Sequence, residues 1–290
     1  MKGFGYHRPE SLAAACGLMA QFGRQGRLMA GGTALSILLK EGLLDADQIV
    51  SLERVGLDAV SWDGAVLTAG AMVTHQALVD DPLVRAHVPV LAEVLSQVAS
   101  RRIRNVATLG GNLCWAEAAS DPPGLLIALG ADVGVRSVRG ERRVGLRDLF
   151  QDYFTTTLAP DEVVSDVRVP APPPGAGLSY LKFTPQSKAD KPVIAVTALV
   201  RRADGACAEA RVVVGAAGPT PLGLPAVDAE LRGEVLDGSP GVGRAAEAYA
   251  EAAQPVSDTR GSEAYKRRMI RVLVRRALGQ AWTRAGDRHG

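Results

Sequence analysis

Leu28-Met29-Ala30-Gly31-Gly32-Thr33-Ala34-Leu35 and Thr108-Leu109-Gly110-Gly111-Asn112-Leu113 are the stretches that decide how this chain is read. Each follows an apolar or basic run and leads toward new structure. A single Gly-Gly pair reads first as a turn. Two pairs with Thr33, Thr108 and Asn112 beside them read as two halves of one diphosphate site. Glycine reaches positive φ and lets successive N–H groups converge into an anion-binding concavity, so two loops of this kind are expected to cradle phosphate oxygens. Neither stretch has the Gly-x-Gly-x-x-Gly spacing of a nicotinamide-binding βαβ unit or the Lys-Ser/Thr ending of a P-loop. The cradle is therefore of another kind.

Taken in order, Ala30-Gly31-Gly32-Thr33, Ala107-Thr108-Leu109-Gly110-Gly111-Asn112-Leu113 and Ala119-Ser120-Asp121-Pro122-Pro123 resemble the FAD-binding medium subunit of the molybdenum hydroxylases, the xanthine dehydrogenase and carbon monoxide dehydrogenase flavoprotein family. Tyr180-Leu181-Lys182-Phe183 is similar to that family's lysine-bearing strand. Ser257-Asp258-Thr259-Arg260-Gly261-Ser262-Glu263-Ala264-Tyr265-Lys266-Arg267-Arg268 extends the resemblance, which covers nearly the whole chain. It implies an α+β fold: a two-subdomain FAD-binding fold of the vanillyl alcohol oxidase type, then a C-terminal α+β domain with an antiparallel sheet. The expected divisions are 1–57, 58–171 and 172–290.

The resemblance also implies FAD in this chain, held by Leu28, Met29, Ala30, Gly31, Gly32, Thr33, Ala34, Leu35, Thr108, Leu109, Gly110, Gly111, Asn112, Asp121, Val164 and Lys182, with no catalytic or metal-ligating residue of its own. The expected partners are a large subunit carrying the molybdenum cofactor and a small subunit with two [2Fe–2S] clusters. FAD here would pass their electrons to an external acceptor. Two other functions stay open from the residues alone: a stand-alone FAD-dependent oxidase and a non-catalytic nucleotide-binding scaffold subunit.

Bulk composition narrows the field. At 290 residues the chain is long enough for two or three modest domains. With 47% hydrophobic and 22% charged residues it is expected to fold. A net charge of +2 and 4% aromatic residues give no footing for nucleic acid. Cys16, Cys114 and Cys207 are too scattered for a disulfide framework or a cluster ligand set, which points to a reducing cytoplasm. No run approaches the roughly 20 apolar residues of a membrane span, and the N-terminus lacks a signal-peptide core.

Along the chain, Leu12, Cys16, Met19 and Phe22 fall at helical spacing, with Pro9 suited to the first turn. Arg27–Ala30 and Gln48–Leu52 read as strands, and Asp63-Gly64 as a hairpin turn. The spacing predicts helix over 82–100 with a break or a new helix start at Pro89, and a short helix over 122–130 begun by proline and stopped by glycine. Alternation marks strands over 132–138 and 163–169. Ala171-Pro172-Pro173-Pro174-Gly175 reads as a linker. Strands follow over 178–183, 193–201 and 210–215, then helices over 244–253 and 263–283, and a frayed tail over 285–290.

Several residues carry two readings. Asp121 is an N-cap of the helix after it, or, as the resemblance implies, a contact for the flavin's ribityl or ribose hydroxyls. Lys182 is an edge-strand lysine turned to solvent, or a charge near the pyrimidine end of the flavin that raises its potential. Val164 is a core valine or an apolar neighbour of the ring. Trp115 packs beside the flavin or fills core, and Cys114 acts as a small apolar residue. The four histidines, His7, His75, His87 and His289, have no metal-site spacing and read as surface or structural. Lys266, Arg267, Arg268, Arg271, Arg275 and Arg276 form a solvated helix face or a docking face for an acidic subunit, with Tyr265, Met269, Val272 and Leu273 expected inward.

Overall fold

The computed structural model describes residues 3–286. Three short strands, β1 (Gly5–His7), β2 (Gly26–Met29) and β3 (Gln48–Ser51), form a parallel sheet in the order β1-β3-β2. Central β3 carries the buried Ile49 and Val50, as a strand covered on both faces requires. Helix α1 (Leu12–Phe22) packs Ala15, Cys16 and Met19 beneath it. Ser11, not Pro9, starts this helix: the Ser11 hydroxyl accepts the Ala14 N–H at 3.2 Å. Pro9 is buried ahead of the cap. Helix α2 (Leu35–Lys40) follows the first glycine stretch.

Strands β4 (Val60–Trp62) and β5 (Val66–Gly70) make the expected hairpin, with Asp63 Oδ1 accepting the Ala65 and Val66 amides. Five short helices come next, α3 (His75–Asp80), α4 (Pro82–His87), α5 (Pro89–Ser96), α6 (Arg101–Arg104) and α7 (Leu109–Trp115), and then α8 (Pro122–Ala128). Strands β6 (Asp132–Ser137) and β7 (Gly140–Gly145), helix α9 (Leu146–Leu149), the small hairpin β8 (Phe150–Asp152) with β9 (Thr155–Thr156), and β10 (Val163–Pro170) complete this part. The sheet order is β4-β5-β10-β6-β7. Its helix-covered face holds the largest core, in which Leu67, Leu91, Leu95, Leu109, Leu113, Leu125 and Leu126 are fully buried. Each such leucine contributes about 1.5–3 kcal/mol relative to exposure.

After residues 171–175 the chain forms β11 (Ala176–Phe183), β12 (Ile194–Ala203) and β13 (Ala206–Gly215), antiparallel in the order β11-β12-β13. Asp204 and Gly205 turn between the last two, both at positive φ (51° and 77°). Helices α10 (Pro225–Ala229), α11 (Pro240–Ala252) and α12 (Glu263–Gly286) cover this sheet. The last helix lies so close to β11 that a Cβ on Gly177 would stand 1.9 Å from the Ala281 carbonyl. Ser179 Oγ donates to the Ala277 carbonyl at 2.8 Å.

Two expectations for this helix change. Ala285 is helical and buried rather than frayed, while 287–290, with His289, lie outside the described residues. Its inward face is Ile270, Val274, Ala277, Leu278 and Ala281 together with the expected Leu273, whereas Tyr265 and Val272 are 41% and 38% exposed. No described helix is long and apolar enough to cross a membrane.

Candidate functional site

The first glycine stretch leaves β2 and enters α2. Leu52 N–H donates to the Met29 carbonyl at 2.9 Å and pins the strand end. Gly32 turns the chain at φ 69°, which favours glycine. Gly31 has a different reason, since a Cβ there would sit 1.7 Å from the Val106 carbonyl. Among the described residues, the half-buried amides of Gly31, Gly32 and Thr33 donate to no protein acceptor. Three consecutive free N–H groups on one bend form an anion-binding concavity.

The second stretch is not a loop but the first turns of α7. Thr108 caps it, its hydroxyl accepting the Gly111 N–H at 3.1 Å. Leu109 N–H donates to the Val73 carbonyl and Gly110 N–H to the Ala71 carbonyl, each at 3.0 Å, and Asn112 N–H donates to the Thr108 carbonyl at 2.9 Å. These amides are taken, so this stretch supplies a wall rather than donors. Neither Gly110 nor Gly111 has positive φ. Gly110 is required by close approach, because its Cβ would fall 2.6 Å from that of Ala71. A Cβ on Gly111 would lie 3.3 Å from Ala30 Cβ, so the two motifs touch here.

Between them opens a cleft of about 410 Å³, lined by Leu28 through Leu35, Thr108, Gly110, Gly111, Asn112 and Val164 among others. Leu109 is fully buried beneath it. Val164 is 4% exposed, a core residue whose edge reaches the cleft. Cys114 and Trp115 also line it, with Arg27, Met72 and Phe154, which sequence reasoning did not single out. Arg27 is turned back, one guanidinium nitrogen donating to the Arg24 and Gly26 carbonyls. Phe154 sits in the β8–β9 turn, where no local pattern announces a site.

Asp121 and Lys182 do not line this cleft; they meet at the seam between the five-stranded sheet's helices and β11. Lys182 Nζ is 3.1 Å from Asp121 Oδ2 and donates to the Gln97 carbonyl at 2.9 Å. Tyr180 OH donates to Asp121 Oδ1. Tyr180 and Lys182 are two apart on one strand and so share a face. Asp121 does not cap α8 through its side chain; both oxygens serve β11 instead. Lys182, although on an edge strand, has a side chain only 3% exposed and does not face solvent. Burial pushes the Asp121 carboxyl up, while Lys182 and Tyr180 pull it back. Lys182 also borders a second cavity of about 430 Å³ with Glu93, Ser96, Gln97, Thr184 and Lys188.

The remaining candidates settle into structure. His7 meets Gln48 at 2.7 Å, and His87 stacks on Trp62 with ring centroids 4.0 Å apart. His75 is fully buried with neither ring nitrogen hydrogen-bonded. Among the described residues no group of three or more His, Cys, Asp or Glu is placed to hold a metal ion. The basic run of α12 divides. Lys266 is buried against Asp258 and the Val256 carbonyl, Arg267 pairs with Glu263, and Arg271 makes a two-pronged pair with Glu247. Arg268, Arg275 and Arg276 are exposed.

Residues 2–172 match the FAD binding domain in molybdopterin dehydrogenase, and residues 179–281 match the CO dehydrogenase flavoprotein C-terminal domain. The chain is 33% identical over 284 residues to the carbon monoxide dehydrogenase medium chain of Afipia carboxidovorans, covering 97% of this chain and 98% of that one. It is 34% identical over 281 residues to the nicotine 6-hydroxylase medium subunit of Paenarthrobacter nicotinovorans, covering 96% and 97%. The crystal structure of quinoline 2-oxidoreductase from Pseudomonas putida superposes with a TM-score of 0.92 at 31% identity, covering 98% of this chain and 99% of that one. This chain therefore belongs to the family of FAD-binding medium subunits of the molybdenum hydroxylases.

Proposed function

We propose that this chain is the electron-exit port of a three-subunit hydroxylase: a large subunit with the molybdenum cofactor oxidises the substrate, and a small subunit relays electrons through two [2Fe–2S] clusters. FAD held here would take up those electrons and release them to an external acceptor. The observation that carries the reading is the run of free amides at Gly31, Gly32 and Thr33, with no room for a side chain at Gly31. Such a bend fits a dinucleotide diphosphate. The wall from Thr108 to Asn112 would hold the same group from the other side, and Val164 would border its ring.

Asp121 and Lys182 act as one unit in this reading. Because they neutralise each other, Lys182 has less field to offer a flavin ring than an unpaired lysine would. Asp121 remains able to accept hydroxyl hydrogen bonds. We place the divisions at 1–57, 58–171 and 172–290, and the compartment in the cytoplasm, a placement supported by three cysteines that are all free thiols.

The test is reduction of the purified chain. It should bind FAD, accept electrons from dithionite and return them to an added acceptor, while candidate substrates leave its spectrum unchanged until the companion subunits are added. Substrate-driven bleaching by the single chain, free of molybdenum and iron, would instead establish a stand-alone oxidase.

A further inference from the structure

The wall of the cleft at the end of α7 carries two aromatic rings, one next to and one on left-handed backbone. Trp115 is the last residue of α7, and Ala116 after it turns the chain at φ 49°, ψ 40°. Phe154, far off in sequence, stands at φ 53° between β8 and β9. Non-glycine residues rarely occupy this left-handed region, and strain of this kind gathers at functional sites. The two strained residues are joined directly, Phe154 N–H donating to the Ala116 carbonyl at 3.1 Å. That bond fixes one ring against the other, with centroids 5.1 Å apart and planes tilted by 55°. Both line the cleft. Phe154 is 52% exposed there, although a ring of its size gains most by burial.

We propose that Trp115 and Phe154 form a rigid aromatic bracket that takes a planar heteroaromatic ring of the dinucleotide bound in this cleft. The proposal rests on the reading of the cleft as the FAD site and adds two ligand-contacting residues to it. A bracket fixed by backbone loses little freedom when a ring stacks on it, so its contribution appears as affinity. The rest of the cleft wall is aliphatic or polar: Leu35, Leu38 and Leu44 are aliphatic, and the glycine stretches are main chain. Either ring of the dinucleotide, adenine or isoalloxazine, offers the face this bracket fits.

The full chain is stripped of flavin and titrated with FAD, and ADP and FMN then compete for the site. Wild type, Trp115→Leu, Phe154→Leu and Phe154→Tyr are compared, each with its melting temperature. Phe154→Leu and Trp115→Leu should weaken FAD roughly tenfold or more, the range of one lost stacking contact, without lowering the melting temperature of the flavin-free chain. Phe154→Tyr, which keeps the ring, should bind like wild type. A parallel loss for ADP alone assigns the bracket to adenine, and for FMN alone to isoalloxazine. FAD affinities within twofold of wild type in both leucine variants would overturn the proposal, as would an equal loss for all three ligands with a lowered melting temperature. Failure of the wild-type chain to bind FAD would overturn the functional reading instead.

Discussion

The ammonium of Lys182 and the carboxylate of Asp121 meet at 3.1 Å across 61 residues of chain, with side chains 3% and 6% exposed. Removing one member of a buried pair leaves an uncompensated charge, which costs about 3–5 kcal/mol. Lys182→Met should therefore lower unfolding stability by about that much in urea denaturation. Asp121→Asn added to it should recover part of the loss. Lys188→Met, nearby and exposed, should stay within about 0.5 kcal/mol of wild type. Equal stability for Lys182→Met and Lys188→Met would show the pair to be inert.

Gly31 tests the amide cradle. A valine Cβ would meet the Val106 carbonyl at 1.7 Å and push the bend out of place. Losing two charge-assisted bonds at about 1.5 kcal/mol each weakens binding roughly a hundredfold. Gly31→Val should purify nearly colourless yet keep its far-ultraviolet circular dichroism. Gly17→Ala, with open space around it, should keep its flavin. A fully yellow Gly31→Val protein would remove the cradle from the site.

His75 and Asp228 give stability a pH dependence of opposite sign. Burial, with the Arg104 charge adding to it, holds His75 at about 4 against an ordinary 6.5. The unfolded chain takes up that proton first, so stability falls as pH drops from 6.5 toward 4, by about 3 kcal/mol in full. Asp228 is buried and pushed up to about 6 from 3.8, so there the folded chain protonates first and gains stability on acidification over that window. His75→Leu should remove the first effect and leave the second, making the protein more stable at pH 5 than at pH 7 in paired urea titrations. An unchanged slope would mean His75 is solvated in solution.

The bidentate pair of Arg271 and Glu247 joins α12 to α11 at the surface. Its partial exposure predicts a small effect: Arg271→Gln should cost about 0.2–1 kcal/mol, and added salt should diminish the difference. A loss several times larger, insensitive to salt, would show that the arginine stem carries packing as well.

Turn chemistry and apolar periodicity were readable ahead of the structure. Asp63-Gly64 marks its hairpin locally, and Pro82, Pro89 and Pro122 each open a helix. Strand β7 was hidden because Gly140-Glu141-Arg142-Arg143-Val144-Gly145 is held by ion pairs, Arg142 to Glu162 and Arg143 to Asp132 and Asp166, not by an alternating apolar face. Lys266 read as solvated because nothing adjacent to it in sequence shows that Asp258 and the Val256 carbonyl receive its charge. The same blindness applies at the candidate site. The glycine stretches were legible as a pair, but that one offers amides and the other a wall depends on which carbonyls the fold brings to Gly110 and Leu109. The partnership of Asp121 with Tyr180 and Lys182 exists only across the seam.

The close packing of Gly177 on Ala281, and the bond from Arg284 to the Leu178 carbonyl at 2.6 Å, have a consequence for biosynthesis. Strand β11 is translated roughly a hundred residues before the helix turns that cover it, and domains settle as units once their parts are available. Until α12 has left the ribosome, the backbone that presents Tyr180 and Lys182 has one face bare. The anchoring of Asp121 is thus postponed to the end of translation, and a nascent chain interrupted before α12 would carry both glycine motifs and β11 itself, but without the helix that covers that strand.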